Sequence, residues 1–149
     1  MELNRQICRR LHEEHEATLA LWSRLEASLA ANKLDAALLK SAAASFADEL
    51  DRHFAFEEEE LFPRLAAAGE ADIGGLLADE HAAIREAGRE FIALVKGGAD
   101  EPRLRPLGLE LAERLISHVQ KEEMSLVPSL DDLLDEAADG ELMQRYAFA

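Results

Sequence analysis

Apolar residues recur at three- and four-residue steps through most of the chain. In a first stretch, from about Leu3 to Ala31, the stripe is Ile7, Leu11, Leu19, Trp22, Leu25 and Leu29. That is the period of an amphipathic helix with one face toward a core. A second stretch, about Leu34 to Ala67, carries Leu38, Leu39, Phe46, Leu50 and Leu61. Pro63 sits late in it and is expected to kink or end it, because proline removes a backbone donor. The third runs from about Ile73 to Lys96 on Leu77, Ile84, Phe91, Ile92 and Val95, and the fourth from about Leu104 to Ala137 on Leu107, Leu111, Leu115, Leu126 and Leu133. Residues 68–72, and then Gly97, Gly98 and Pro102, punctuate them. No stretch alternates with period two over the length of a strand. Long amphipathic helices joined by short connections predict antiparallel neighbours, hence an all-α, up-down-up-down four-helix bundle.

Length and composition sharpen this picture. The 149 residues suit one domain, with a core over about 5–135 and a short tail, 138–149, free to pack back, fray or mediate a homodimer. Hydrophobic residues make up 48% of the chain, ample for a core, and the dominance of Ala, Leu and Glu favours helix over strand. With 16 basic and 31 acidic residues the net charge is −15, which argues against nucleic acid as a partner. Most of the acidic residues are expected on a solvated face. The single cysteine, Cys8, permits no internal disulfide and fits a reducing compartment. The opening MELNRQICRR lacks an apolar core of a secretory signal, and no apolar run approaches the ~20 residues that span a bilayer. The expectation is a soluble, cytoplasmic protein with no membrane partner.

Chemistry enters through an internal repeat. His53-Phe-Ala-Phe-Glu57-Glu58-Glu-Glu-Leu61-Phe-Pro63 and His118-Val-Gln-Lys-Glu122-Glu123-Met-Ser-Leu126-Val-Pro128 both read H-x3-E-E-x2-L-x-P. A shorter pair, Glu14-His15 and Glu80-His81, recurs at nearly the same offset: 66 residues, against 65 for His53 and His118. The chain therefore reads as two helical hairpins related by a pseudo-two-fold, each giving one lone histidine and one H-x3-E. On a helical projection His15, His53, His81 and His118 fall inside the apolar stripes. Glu57 and Glu122, one turn on and about 40° round, point into the same interior. Glu58 and Glu123 point well away.

Six ionisable side chains directed into one core demand compensation, since burying an unpaired carboxylate costs several kcal/mol, on the order of a domain's net stability. A pair of divalent cations supplies it, with Glu57 and Glu122 bridging and His15, His53, His81 and His118 as terminal ligands. Taken singly, each histidine reads as a hydrogen-bonded core residue; the joint pattern selects a metal site over a metal-free structural bundle. His12, about 60° round from His15, stands at the stripe edge as an additional ligand, a group supporting a ligand or a surface residue. Glu60 is placed as a salt-bridge partner near its helix end. Glu49 and Arg114, each four residues before a motif histidine, are candidates to pair with one another. Cys8 is expected to pack as a small hydrophobe.

These residues resemble the hemerythrin family, specifically the bacterial hemerythrin-like HHE cation-binding domains. The resemblance spans about residues 5–135 and is carried by His15, His53-x3-Glu57 with the following Glu-x2-Leu-Phe-Pro, Glu80-His81, and His118-x3-Glu122. It implies an antiparallel four-helix bundle with a non-haem, oxygen-bridged di-iron centre that binds or senses O2, a related small diatomic or peroxide, or iron. Manganese and zinc suit the same donors. An alternative is a di-iron redox enzyme acting on peroxide or nitric oxide. Oxygen-carrying members have His-x3-His on the third helix and His-x4-Asp on the fourth, where this chain has Arg85 and Glu122. One histidine fewer weighs against reversible oxygen carriage unless His12 replaces it. The pattern also differs from the Glu-x2-His signature of ferritin-like di-iron bundles.

Overall fold

The computed structural model describes residues 2–98 and 102–147; residues 99–101 of the expected connection and the last two residues of the expected tail lie outside it. The described residues are helical, with no strand among them. Helix α1 is Gln6–Ala30, α2 runs continuously over 36–67, α3 is Ala71–Gly97, α4 is Leu104–Met124, α5 is Leu126–Leu133 and α6 is Glu136–Ala147. Among the described residues no helix is long and apolar enough to cross a membrane.

The ends of the first two helices follow from backbone chemistry. Asn32 (φ 61°) and Gly69 (φ 89°) take left-handed conformations just past α1 and α2. After α2, Gly69 N donates to the Ala66 carbonyl at 3.1 Å and Glu70 N to the Leu65 carbonyl at 2.9 Å, absorbing carbonyls the helix end leaves free. Asn32 and Lys33 repeat the arrangement on the Leu29 and Ser28 carbonyls at 3.0 and 2.9 Å. At its start, α2 is capped by Asp35, whose side chain accepts from Leu38 N at 3.1 Å.

Pro63 does not end its helix. Two π-helical turns, Phe46–Leu50 and Glu57–Leu61, are built into α2, the second just ahead of the proline, and the helix continues to Ala67. Successive buried residues there stand four apart (Ala42, Phe46, Leu50, and again Glu57, Leu61, Leu65). In a straight α-helix four-residue steps drift by about 40° each, and the wider π turns take that drift back. The matching Pro128 has the opposite outcome. The fourth stretch, expected as one helix to about Ala137, breaks at Ser125 (φ −128°, ψ −66°), three residues before the proline. Ser125 Oγ donates to the Lys121 carbonyl at 2.6 Å, and the chain restarts as α5. A second break at Leu134 (ψ 138°) leads into α6, where Asp135 accepts from Ala138 N at 2.8 Å. Through Ala147 the tail is thus a capped helix folded back on α1, with Leu142 and Tyr146 buried.

Helix pairs meet in opposed residue order. His15 and Leu29 of α1 contact Glu123 and Arg105. Glu14 and Trp22 meet His53 and Phe46 of α2. Glu58 bonds Arg85, while Phe46 lies so close to Gly88 that a Cβ there would sit 2.1 Å from its ring. Between α3 and α4, Glu80 meets Lys121 and Phe91 lies against Gly108.

The apolar core has two parts. One gathers Trp22, Leu25, Phe46, Ile84, Phe91 and Leu115, the other Ile7, Leu11, Phe56, Leu61, Leu77 and Leu126. Helices α1, α2 and α3 each pass from one part to the other, the chain does so again from α4 into α5, and each passage lies at or beside a histidine. His15 lies between Leu11 and Trp22, His53 between Leu50 and Phe56, His81 between Leu77 and Ile84, and His118 between Leu115 and Leu126. Cys8 packs in the second part as an apolar residue, where burial together with Asp131 and Asp139 pushes its thiol up to about 12.

The start of α1 is held from a distance. Asp139 of α6 accepts from Gln6 N at 2.8 Å and Ile7 N at 2.9 Å, and Asp131 of α5 accepts from Arg5 N at 2.8 Å. These carboxylates satisfy donors that α1 cannot satisfy itself, at the end where its dipole favours negative charge. Replacing Asp139 by Ala is expected to lower unfolding free energy by about 1–2 kcal/mol, read as a shift of the urea midpoint; an unshifted midpoint would refute the capping role.

Candidate metal centre

His15 from α1, His53 and Glu57 from α2, His81 from α3, and His118 and Glu122 from α4 converge on the layer between the two core parts, each no more than 4% exposed. They fall into two groups able to hold a metal ion: His15, His53, Glu57 and Glu122, and Glu57, His81, His118 and Glu122. The two glutamates belong to both. Glu122 stands 2.8 Å from His15 Nε2, 3.0 Å from His118 Nε2 and 3.5 Å from His81 Nε2. Glu57 is 3.2 Å from both His53 Nε2 and His81 Nε2.

Glu57 is the anomaly. It is fully buried, and neither carboxylate oxygen makes a hydrogen bond; His53 Nε2 is likewise without one. The imidazole nitrogens are at ion-pair distance but off the hydrogen-bonding direction. A buried carboxylate left in this state costs several kcal/mol, roughly what a cation on its oxygens recovers. Four imidazoles and two carboxylates are also a donor set suited to divalent transition metals. The residues present therefore fit a pair of metal ions.

A second ring of carboxylates surrounds the first. His15 Nδ1 faces Glu123 at 3.0 Å, His53 Nδ1 faces Glu14 at 3.0 Å, His81 Nδ1 faces Glu58 at 2.8 Å and His118 Nδ1 faces Glu80 at 2.8 Å. Since an ionised carboxylate only accepts, each Nδ1 carries the hydrogen and each Nε2 is left facing inward. Every one of these bonds joins neighbouring helices. Each outer glutamate is itself held: Glu14 by Arg10 and Tyr146, Glu58 by Arg85, Glu80 by Lys121 and Glu123 by His12.

Electrostatics follow from these contacts. Burial pulls the His15 imidazole down, but Glu122 and Glu123 outweigh it and lift it to about 9. His81 is lifted to about 9 against the same opposition by Glu122 and Glu57. His53 stands well above its ordinary value, with burial overcome by the Glu57 charge and the Glu14 hydrogen bond. Burial would raise Glu122, yet hydrogen bonds from His118 and His15, together with the nearby His81 imidazole, hold it well below the usual carboxylate range. Glu14, likewise opposed by burial, is drawn down to about 2 by His53, Tyr146 and Arg10.

The remaining sequence candidates find definite places. His12 belongs to neither metal-capable group: one ring nitrogen meets Glu123 and the other lies 2.5 Å from Glu16, so it stands behind the carboxylate that holds His15. Glu60 pairs with Arg64 at 3.4 Å and Arg145 at 2.8 Å, as its placement near the helix end suggested. The suggested pairing of Glu49 with Arg114 does not form; Arg114 pairs with Glu110 on its own helix at 3.2 Å, because α2 and α4 lie across the site from one another. Glu14, Glu58, Glu80 and Glu123 were not recognised as site residues from the sequence. All four sit inside the repeat, as the residue before the lone histidine or after the motif glutamate. That recurrence was the available signal.

Over residues 6–130 the sequence matches the family model for the hemerythrin HHE cation binding domain. No curated protein and no solved structure matches the chain.

The raised histidines set a pH dependence. With folded values near 9 for His15 and His81, against about 6.5 unfolded, their contribution to metal-free stability is complete below about pH 6.5 and lost as pH rises through 9. The depressed Glu122 acts in the opposite sense: its contribution is present above about pH 4.5 and lost as pH falls. Metal-free protein is therefore expected to be most stable between these limits. Zinc affinity is expected to rise from pH 6.5 to 9, because each imidazole must shed its proton to ligate. Thermal midpoints of metal-free protein and zinc titrations across this range check both, and a pH-independent zinc affinity would contradict the assignment.

Proposed function

The chain belongs to the hemerythrin HHE cation-binding domain family, and from that premise we propose that it is a non-haem two-metal protein, holding two iron ions to bind or sense O2, a related small diatomic or peroxide. In this reading His15 and His53 would hold one ion and His81 and His118 the other, with Glu57 and Glu122 shared between them as the bridging candidates. The observation that carries it is Glu57: wholly buried, shared by both metal-capable groups, and without a hydrogen bond to either oxygen. Manganese or zinc can occupy the same donors; iron is what the family resemblance supports.

Bound iron would supply electrons and a free coordination position for a small ligand. The chain's own residues hold, orient and enclose. The outer glutamates turn each Nε2 inward and keep Nδ1 protonated. Phe54 stacks on His81 with ring centroids 3.9 Å apart and 11° between planes, fixing that ring. Ile84, Leu111 and Leu115 on one side and Leu11, Leu61 and Leu126 on the other are almost wholly buried and exclude water from the layer. A dry layer of this kind strengthens electrostatic attraction between cation and carboxylate.

The same reading takes the fold as an antiparallel, up-down-up-down four-helix bundle in one domain, with the opposed order of interhelical contacts as its support. The single buried cysteine fits a cytoplasmic setting, and the charge of −15 argues against nucleic acid as a partner.

Protein produced in iron-supplemented cells is expected to carry two irons per chain by elemental analysis, and Glu57→Ala and Glu122→Ala to fall to one or none. Full retention of both metals in either variant would overturn the bridging assignment. Exposing the reduced protein to oxygen, nitric oxide or peroxide then tests the rest: a spectral change that saturates at stoichiometric ligand supports binding or sensing, whereas sustained turnover with added reductant makes it a redox enzyme.

A further inference from the structure

The outer ring is symmetric in plan but not in what supports it. Glu80, which holds His118, is held by Lys121 of α4, whose side chain is 49% exposed. Both oxygens of Glu80 are engaged, one by His118 and one by Lys121, whereas its counterpart Glu14, which holds His53, has one donor more: Oε2 accepts from Arg10 Nε at 2.9 Å, and Oε1 accepts from the Tyr146 hydroxyl. That same Oε1 accepts from His53 Nδ1 at 3.0 Å. Tyr146 stands on α6, outside the internal repeat and beyond the residues that match the family, yet it is only 3% exposed.

The ring of Tyr146 is held firmly. Phe56 lies 4.5 Å away between centroids, and the Arg52 and Arg10 guanidinium groups lie 5.1 and 5.7 Å from its centroid. The helix carrying it is fastened separately, by Asp139 on the start of α1, by buried Leu142 and by Arg145 on Glu60 at 2.8 Å. Loss of the hydroxyl alone leaves those fastenings in place. What it removes is one of the donors that pin Glu14, and with it the acceptor geometry that sets the His53 ring. Groups that orient a metal-binding imidazole from behind typically change affinity by about 10–100-fold when removed.

Resting on the two-metal reading above, we infer that Tyr146 is a positioning residue for the half-site of His15 and His53: through Glu14 it fixes the His53 imidazole, so that the C-terminal helix sets the affinity of one of the two metal positions. The other position depends on Lys121 and is independent of α6.

The test uses the full chain with cobalt(II) as the probe, because its visible absorption reports each position as it fills. Tyr146→Phe is expected to weaken one of the two binding steps by about tenfold and shift the absorption of that step, leaving the other step unchanged. Lys121→Met is expected to weaken the other step. Titrations and spectra of Tyr146→Phe identical to those of the parent would overturn the inference, as would equal weakening of both steps. A metal-free measurement keeps this separate from the two-metal reading. In nitrogen-15-labelled protein without metal, the His53 Nδ1 hydrogen is expected to exchange with solvent faster in Tyr146→Phe, while that of His118 is unaffected; equal rates in both proteins would again overturn it. A parent protein that takes up no cobalt would overturn the two-metal reading, and the exchange rates would still decide for or against Tyr146.

Discussion

Two carboxylates buried in the middle of an apolar core are the constraint on which the rest of the structure depends. Glu57 and Glu122 are wholly buried, and everything around them answers their charge. Four imidazoles turn their Nε2 atoms toward them, and four outer carboxylates fix those imidazoles from behind. Glu57 itself makes no hydrogen bond, so its desolvation is the demand that the surrounding side chains leave unmet. A cation held by these groups would remove that desolvation penalty and so would stabilise the fold.

The outer ring also shapes the bundle. Each of its bonds runs from one helix to the next: Glu14 to His53, Glu58 to His81, Glu80 to His118 and Glu123 to His15. Hydrophobic packing above and below the layer brings the helices together but tolerates small slides and rotations. A closed circuit of directional bonds does not, and it specifies the register at which the apolar stripes meet. The layer is thus a site and at the same time the element that aligns the two halves of the core.

Departures from regular helix cluster around this layer. The π turns of α2 flank His53, the second beginning at Glu57, and the break at Ser125 follows Glu122 and Glu123 within three residues. Both motif prolines lie just past the metal-binding face. On α2 the disturbance is absorbed within the helix; after α4 it redirects the chain, so that α5 and α6 return to cap α1 and bring Tyr146 to Glu14. A shared H-x3-E-E-x2-L-x-P frame thereby gives a symmetric inner site with unequal surroundings.

The sequence by itself determined the helical character of the chain, the apolar stripes and the place of the histidines and of Glu57 and Glu122 within them. These are properties of a side chain's direction from its own helix, and periodicity reports that direction. It could not say that Glu58 and Glu123, directed away from their own stripes, would reach the histidines of neighbouring helices. Nor could it say that Arg114 would turn to Glu110, or that the chain would break at Ser125 and fold its last helix onto the first. Those outcomes depend on which helices are neighbours, on their register and on whether a proline is met by a π turn or by a break. They are interactions between elements, and only the tertiary structure decides them.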